Sequence, residues 1–142
     1  MDVKGQVSAE YLLLALVFLI IIGSVTVPLV GSSISSSLDI SSTSDVSAAI
    51  NSITNAVGVV YANGPGAKRT VNVYFPIPGT LNYASNAIQM QVPLQSGGNK
   101  LISSNVPIAV TITGGTVGKG NYNAQVAWAS GTSPITVTLT TT

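Results

Sequence analysis

Residues 12–22 read Leu-Leu-Leu-Ala-Leu-Val-Phe-Leu-Ile-Ile-Ile, without one polar side chain. Extended to residues 11–30, the apolar stretch is about 20 residues long, or about 30 Å as a helix, enough to cross the hydrocarbon core of a bilayer. A helix that is apolar on every side has no face to offer to water. It must be surrounded by lipid or by other protein, and that requirement limits every fold open to the chain. Gly23, Ser24 and Thr26 soften the far half. Pro28 removes one backbone hydrogen bond there, which a helix in a membrane or among other helices tolerates.

The segment before the apolar block reads Lys4-Gly5-Gln6-Val7-Ser8-Ala9-Glu10-Tyr11. An ordinary secretory signal places its small-residue cleavage site after the apolar core. Here the small residue, Gly5, comes before it. Cutting between Gly5 and Gln6 removes a short leader, residues 1–5, and leaves the apolar helix on the mature chain. One carboxylate, Glu10, sits at the lip of that helix.

Lys4-Gly5-Gln6, then Ser8, Glu10 and Tyr11, then the Leu/Ile/Val/Ala run resemble the class III signal peptide of archaeal type IV pilins. The resemblance covers about the first 25 residues; beyond them the chain matches the family only in layout. It implies cleavage after Gly5 by a prepilin peptidase, with Lys4, Gly5 and Gln6 as processing residues. It implies storage of the helix in the membrane, then packing into the core of an extracellular filament, a helical homopolymer. The implied partners are an assembly ATPase and a membrane platform protein. The Gln-x-Ser-x-Glu-Tyr start favours an adhesive or structural pilus over a swimming one. Adhesion itself is inherited from the family. Two other readings stand beside this one: a membrane-tethered binding module that does not polymerise, and a minor pilin or pseudopilin of a secretion or sugar-binding assembly.

Glu10 is where electrostatics bears on function. A carboxylate in apolar surroundings costs several kcal/mol unless paired. After cleavage Gln6 has a free amine, and Glu10 lies four residues along. The family resemblance implies that Glu10 neutralises the Gln6 amine of a neighbouring subunit during assembly. The alternatives are an intramolecular pair, cyclisation of Gln6 with loss of its charge, or a carboxylate that only complements the helix dipole. Tyr11 reads as an aromatic at the bilayer interface.

Residues 31–47 are dominated by serine, which competes for its own backbone and makes a poor isolated helix. Yet Ile34, Leu38, Val46, Ile50, Ile53, Val57 and Val60 recur at helical spacing. The expectation is one helix over residues 6–62: a membrane or filament-core segment, 11–30, and a Ser-rich amphipathic continuation, 31–62, stable only when packed. Asn63-Gly64-Pro65-Gly66 ends it.

From residue 63 to 142 the period becomes two. Val71, Val73 and Phe75 alternate with polar neighbours, as do Ile88, Met90 and Val92, then Ile108, Val110 and Ile112, then Ile135, Val137 and Leu139. Residues 122–128 and the pair Leu101-Ile102 are further candidates. Turn signals fall at Pro76-Ile77-Pro78-Gly79, Gly97-Gly98-Asn99, Gly114-Gly115, Gly118-Lys119-Gly120-Asn121 and Gly131-Thr132-Ser133-Pro134. The fold class is therefore α+β: a long N-terminal helix followed by a small antiparallel sheet or sandwich of five to seven strands. Its thin core needs the end of the helix as a lid.

Only 6% of residues are charged and the formal net charge is +1, against about 25% charged in an ordinary soluble domain. Such a neutral, hydroxyl-rich surface suits a protein covered by neighbours. Lys68, Arg69, Lys100 and Lys119 are too sparse for a nucleic-acid patch. With no His and no Cys, disulfides and imidazole or thiolate metal sites are excluded. The β-rich part also lacks any carboxylate to act as a base, so no catalytic set, cofactor or metal is expected and the chain does not read as an enzyme.

Overall fold

A computed structural model describes residues 3–130 and 134–142, with side chains from residue 8 onward. The chain divides into two compact units, Met1–Ser37 and Leu38–Thr142. A single helix, α1 (Val3–Asn63), runs through the division with Pro28 inside it. The serines do not break it because their hydroxyls turn back onto the helix. Ser33 Oγ donates to the Leu29 carbonyl at 2.9 Å, Ser35 to Gly31 at 3.1 Å, and Ser37 to Ser33 at 2.9 Å. Bonds to carbonyls already inside the helix leave the backbone ladder intact. The helix ends where expected: Gly64 has φ 84° and its N–H reaches the Val60 carbonyl at 3.2 Å. A left-handed glycine of this kind is the usual helix stop.

Eight strands follow: β1 (Lys68–Phe75), β2 (Gly79–Ala84), β3 (Ala87–Pro93), β4 (Asn99–Asn105), β5 (Val110–Thr113), β6 (Thr116–Val117), β7 (Gly120–Ala127) and β8 (Ile135–Thr141). They form two four-stranded sheets, ordered β1-β7-β8-β5 and β4-β3-β2-β6. The fold is α+β, with pairing antiparallel throughout except between β5 and β8, which run parallel. The alternating residues face inward as their period requires: Val73, Phe75, Ile88, Met90, Val92, Val110, Ile135, Val137 and Leu139 are all buried. Ile108 lies ahead of β5 and is only half-buried, as is Ile112.

The eight strands are one more than the upper expectation of seven, and two of them, β2 and β6, were not among the candidates. β2 was masked by its turn: Ser85 and Asn86, at φ 52° and 58°, connect β2 to β3 without a glycine. Two consecutive residues at positive φ make the tight hairpin turn whose twist matches the flanking strands. Tyr83 Oη bonds Asn86 Oδ1 at 3.0 Å across it. β6 has only two residues and pairs with Gly79 and Thr80 of β2, too short to show a period. The expected turn at Gly131-Thr132-Ser133 lies outside the described residues.

Gly114 and Gly115 sit where the sheets approach each other. A Cβ on Gly114, which has φ +70°, would meet the Leu139 carbonyl oxygen of β8 at 2.7 Å. One on Gly115 would meet the Leu81 carbonyl oxygen of β2 at 2.5 Å. The Leu81 N–H in turn donates to the Gly115 carbonyl at 2.8 Å. Backbone on both sides leaves no room for a side chain.

One hydrophobic core joins both sheets to the end of α1. Val46, Ala49, Ile50, Ile53, Ala56, Val57 and Val60 are buried among the strand residues. The first part of the expected stripe does not join them, since Ile34 and Leu38 are 55% and 47% exposed. The helix end is fastened by Tyr61 stacked on Trp128, with ring centroids 5.7 Å apart, and by the Gly66 N–H on the Trp128 carbonyl at 2.7 Å. Below them Phe75 meets Tyr122 edge-on at 5.9 Å, and the Tyr122 hydroxyl accepts the Gly118 N–H at 2.7 Å.

Candidate functional site: an unburied apolar helix

In the unit Met1–Ser37, no side chain from Ser8 to Ile34 is buried. Tyr11 is 71% exposed, and Leu12, Phe18, Leu19, Ile20 and Val27 range from 57% to 71%. These residues are exposed on every side of the helix, as consecutive apolar residues must be. An apolar surface of this extent is far beyond the patches that single soluble proteins tolerate. Residues Ser8–Asn63 contain a window long and apolar enough to cross a membrane, none of it buried within the chain.

Glu10 is exposed, one residue before that surface begins. Gln6 and Glu10 are four positions apart along the helix. Lys4, Gly5 and Gln6 fall in the helical backbone, and the side chains of Lys4 and Gln6 lie outside the described ones. Because α1 begins at Val3, the Gly5–Gln6 bond lies inside its first turns. The helix as described thus starts at Val3, three residues before the expected start at residue 6.

Sequence reasoning missed Asp39. The residue is 9% exposed, and its carboxylate holds the turn between β3 and β4. Oδ1 accepts the Gln95 N–H at 2.6 Å, and Oδ2 accepts the Ser96 N–H at 3.0 Å and the Ser96 hydroxyl at 2.7 Å. The Ser96 hydroxyl and then the Gln95 N–H hold the carboxyl below its ordinary value of 3.8, against the opposing effect of burial. No local signal in the sequence pairs residue 39 with residue 96. The only hint was an acid amid serines, on a helix whose other acids are Glu10 and Asp45.

Lys68, Arg69, Lys100 and Lys119 are all exposed and spread over β1, β4 and the turn before β7. Among the described residues no group of three or more His, Cys, Asp or Glu gathers to hold a metal. No family model, curated protein or solved structure matches the chain.

Proposed function

We propose that the chain is the precursor of a structural subunit of an archaeal type IV pilus-like surface filament. The observation that supports this best is the contrast along one helix. Residues 46–60 of α1 are built into a finished core, while residues 8–34 leave apolar side chains exposed on every side. A cleavage signal ahead of the exposed part, at Gly5–Gln6, preserves it on the mature protein. In this reading lipid covers the helix in the membrane, and the helices of other copies cover it after assembly. Glu10 then pairs with the Gln6 amine of a neighbour, cancelling two charges that assembly would otherwise bury singly. The filament serves attachment in this proposal.

Intact mass of the chain isolated from the cell surface tests the reading. The expected mature N-terminus is Gln6, free or cyclised, in material that electron microscopy shows as filaments. A mature chain beginning near residue 31, after conventional signal cleavage, would refute it.

A further inference from the structure

In the unit Leu38–Thr142 the exposed side of α1 is flanked by two open grooves. One, of about 660 Å³, runs between the helix and β4 and is lined by Ile40, Thr43, Ser47, Asn51, Lys100 and Leu101 among others. The second, of about 180 Å³, runs between the helix and β1 and is lined by Asp45, Ser52, Asn72 and Tyr74. Ala48 borders both, so it forms the ridge between them. β4 and β1 are each one of the two edge strands of their sheet. Each groove thus has one wall of helix and one wall of unpaired strand edge, a template for association.

The two grooves carry opposite charge. Lys100 is the cation of the first and Asp45 the acid of the second. Asp39 and Asp45 are the acids of this unit, and Asp39 is held by the Gln95–Ser96 turn. Asp45 is exposed and forms no ion pair among the described residues. Apolar surface is open beside both charges: Ile40 is 70% and Leu101 54% exposed in the first groove, and Tyr74 43% in the second. We propose that these grooves are the two halves of a self-contact: the Lys100 groove of one copy meets the Asp45 groove of another. This rests on the self-assembly reading above and gives it a specific surface. A like-to-like contact would bring two Lys100 ammonium groups together, which is unfavourable. The crossed contact matches charge, and the complement needed by each groove is present on every copy.

The test uses the full chain in its assembled form, prepared from a mixture of nitrogen-14 and nitrogen-15 labelled protein. A carbodiimide activates the Asp45 carboxyl, and the Lys100 amine displaces the activated group to form an amide, with the carbodiimide released as its urea. The expected product is an Asp45–Lys100 linked peptide pair carrying one heavy and one light half. Asp45→Lys and Lys100→Asp should each lower the yield of oligomers by at least about tenfold, through like-charge contact. The double exchange, Asp45→Lys with Lys100→Asp, should restore it. Both positions are exposed, and unchanged melting of each variant, read by Trp128 fluorescence, confirms folding. Filaments that form normally from both single variants would overturn this inference and leave the filament reading in place. Mixed-isotope links in an assembly that never exceeds a pair would support the contact and overturn the filament reading.

Discussion

The division of labour along α1 can be measured by making the same substitution twice. Ile53 is 0% exposed in the core, whereas Ile20 is 61% exposed. Ile53→Ala removes three carbons from a closed site. At about 0.8 kcal/mol per buried methylene the transfer loss is about 2.4 kcal/mol, and the residual cavity brings the cost to about 3 kcal/mol, within the usual span for such truncations. For a domain of about 100 residues, each kcal/mol moves the melting temperature by about 4–8 °C, so the midpoint should fall by about 12–24 °C. Ile20→Ala opens no cavity and should leave that transition within about 2 °C of the parent. Trp128 is the single tryptophan of the chain and stacks on Tyr61 at the helix end. Its fluorescence during a thermal melt of detergent-solubilised full-length protein therefore reports loss of the helix from the core. The same pair of variants should reverse in assembly, where Ile20→Ala lowers filament yield although the monomer melts normally. Equal melting shifts for the two variants, or none for Ile53→Ala, would refute the claim that only the end of α1 completes the core.

Asp39 gives a pH dependence of known sign. Its folded-state value is lowered, so its contribution is fully present above the ordinary carboxylate value of 3.8 and is lost as pH falls through the lower folded value. Protection of the Gln95 and Ser96 amides relative to their intrinsic exchange rates should fall on acidification below about pH 4, and Asp39→Asn should show low protection at neutral pH as well. Gly115→Ala should destabilise the head by about 1–3 kcal/mol, because the new Cβ would meet the Leu81 carbonyl oxygen at 2.5 Å; a denaturant melt checks this. Glu10→Gln should be processed and stored in the membrane normally, yet yield few filaments on a free Gln6 amine, since each insertion would bury an unpaired ammonium at about 3–5 kcal/mol. Helix-dipole help alone is worth about 0.3–1 kcal/mol and would leave filament counts near normal.

The sequence showed most clearly those elements whose signal is local. The apolar block, the Gly64 stop and the strands containing Val73, Met90 and Val137 each follow from a period or a single residue type. β2 escaped because its turn uses Ser85 and Asn86 at positive φ, where a glycine would have announced it. The parallel β5–β8 pair escaped because direction depends on the path through β6 and β7, not on either strand's own pattern. Ile34 and Leu38 share a helical stripe with Val46, but a stripe records only that something covers those residues. In this chain the sheets cover the later residues and leave the earlier two exposed. Asp39 was illegible for a similar reason: a carboxylate advertises a need for donors, and the donors come from residues 56 and 57 positions away.

The low charge of the chain gains its meaning from where the few charges stand. A surface of hydroxyls and amides gives weak, unselective contact, because hydrogen bonds to water are exchanged for others of similar strength. The apolar helix gives strong contact but little register, since one leucine resembles the next along residues 12–22. Neither surface by itself tells one copy where to sit on another. A small number of unpaired charges can do so, because a mismatch costs more than a match gains. In the proposed assembly Glu10 would mark a position along the helix, and Asp45 and Lys100 a position on the head. If assembly is set this way, adding charge elsewhere on the head, for instance at exposed Thr111 or Thr140, should leave folding intact. It should disturb assembly only when it falls within reach of Asp45 or Lys100, about one Debye length, or about 8 Å, at physiological salt.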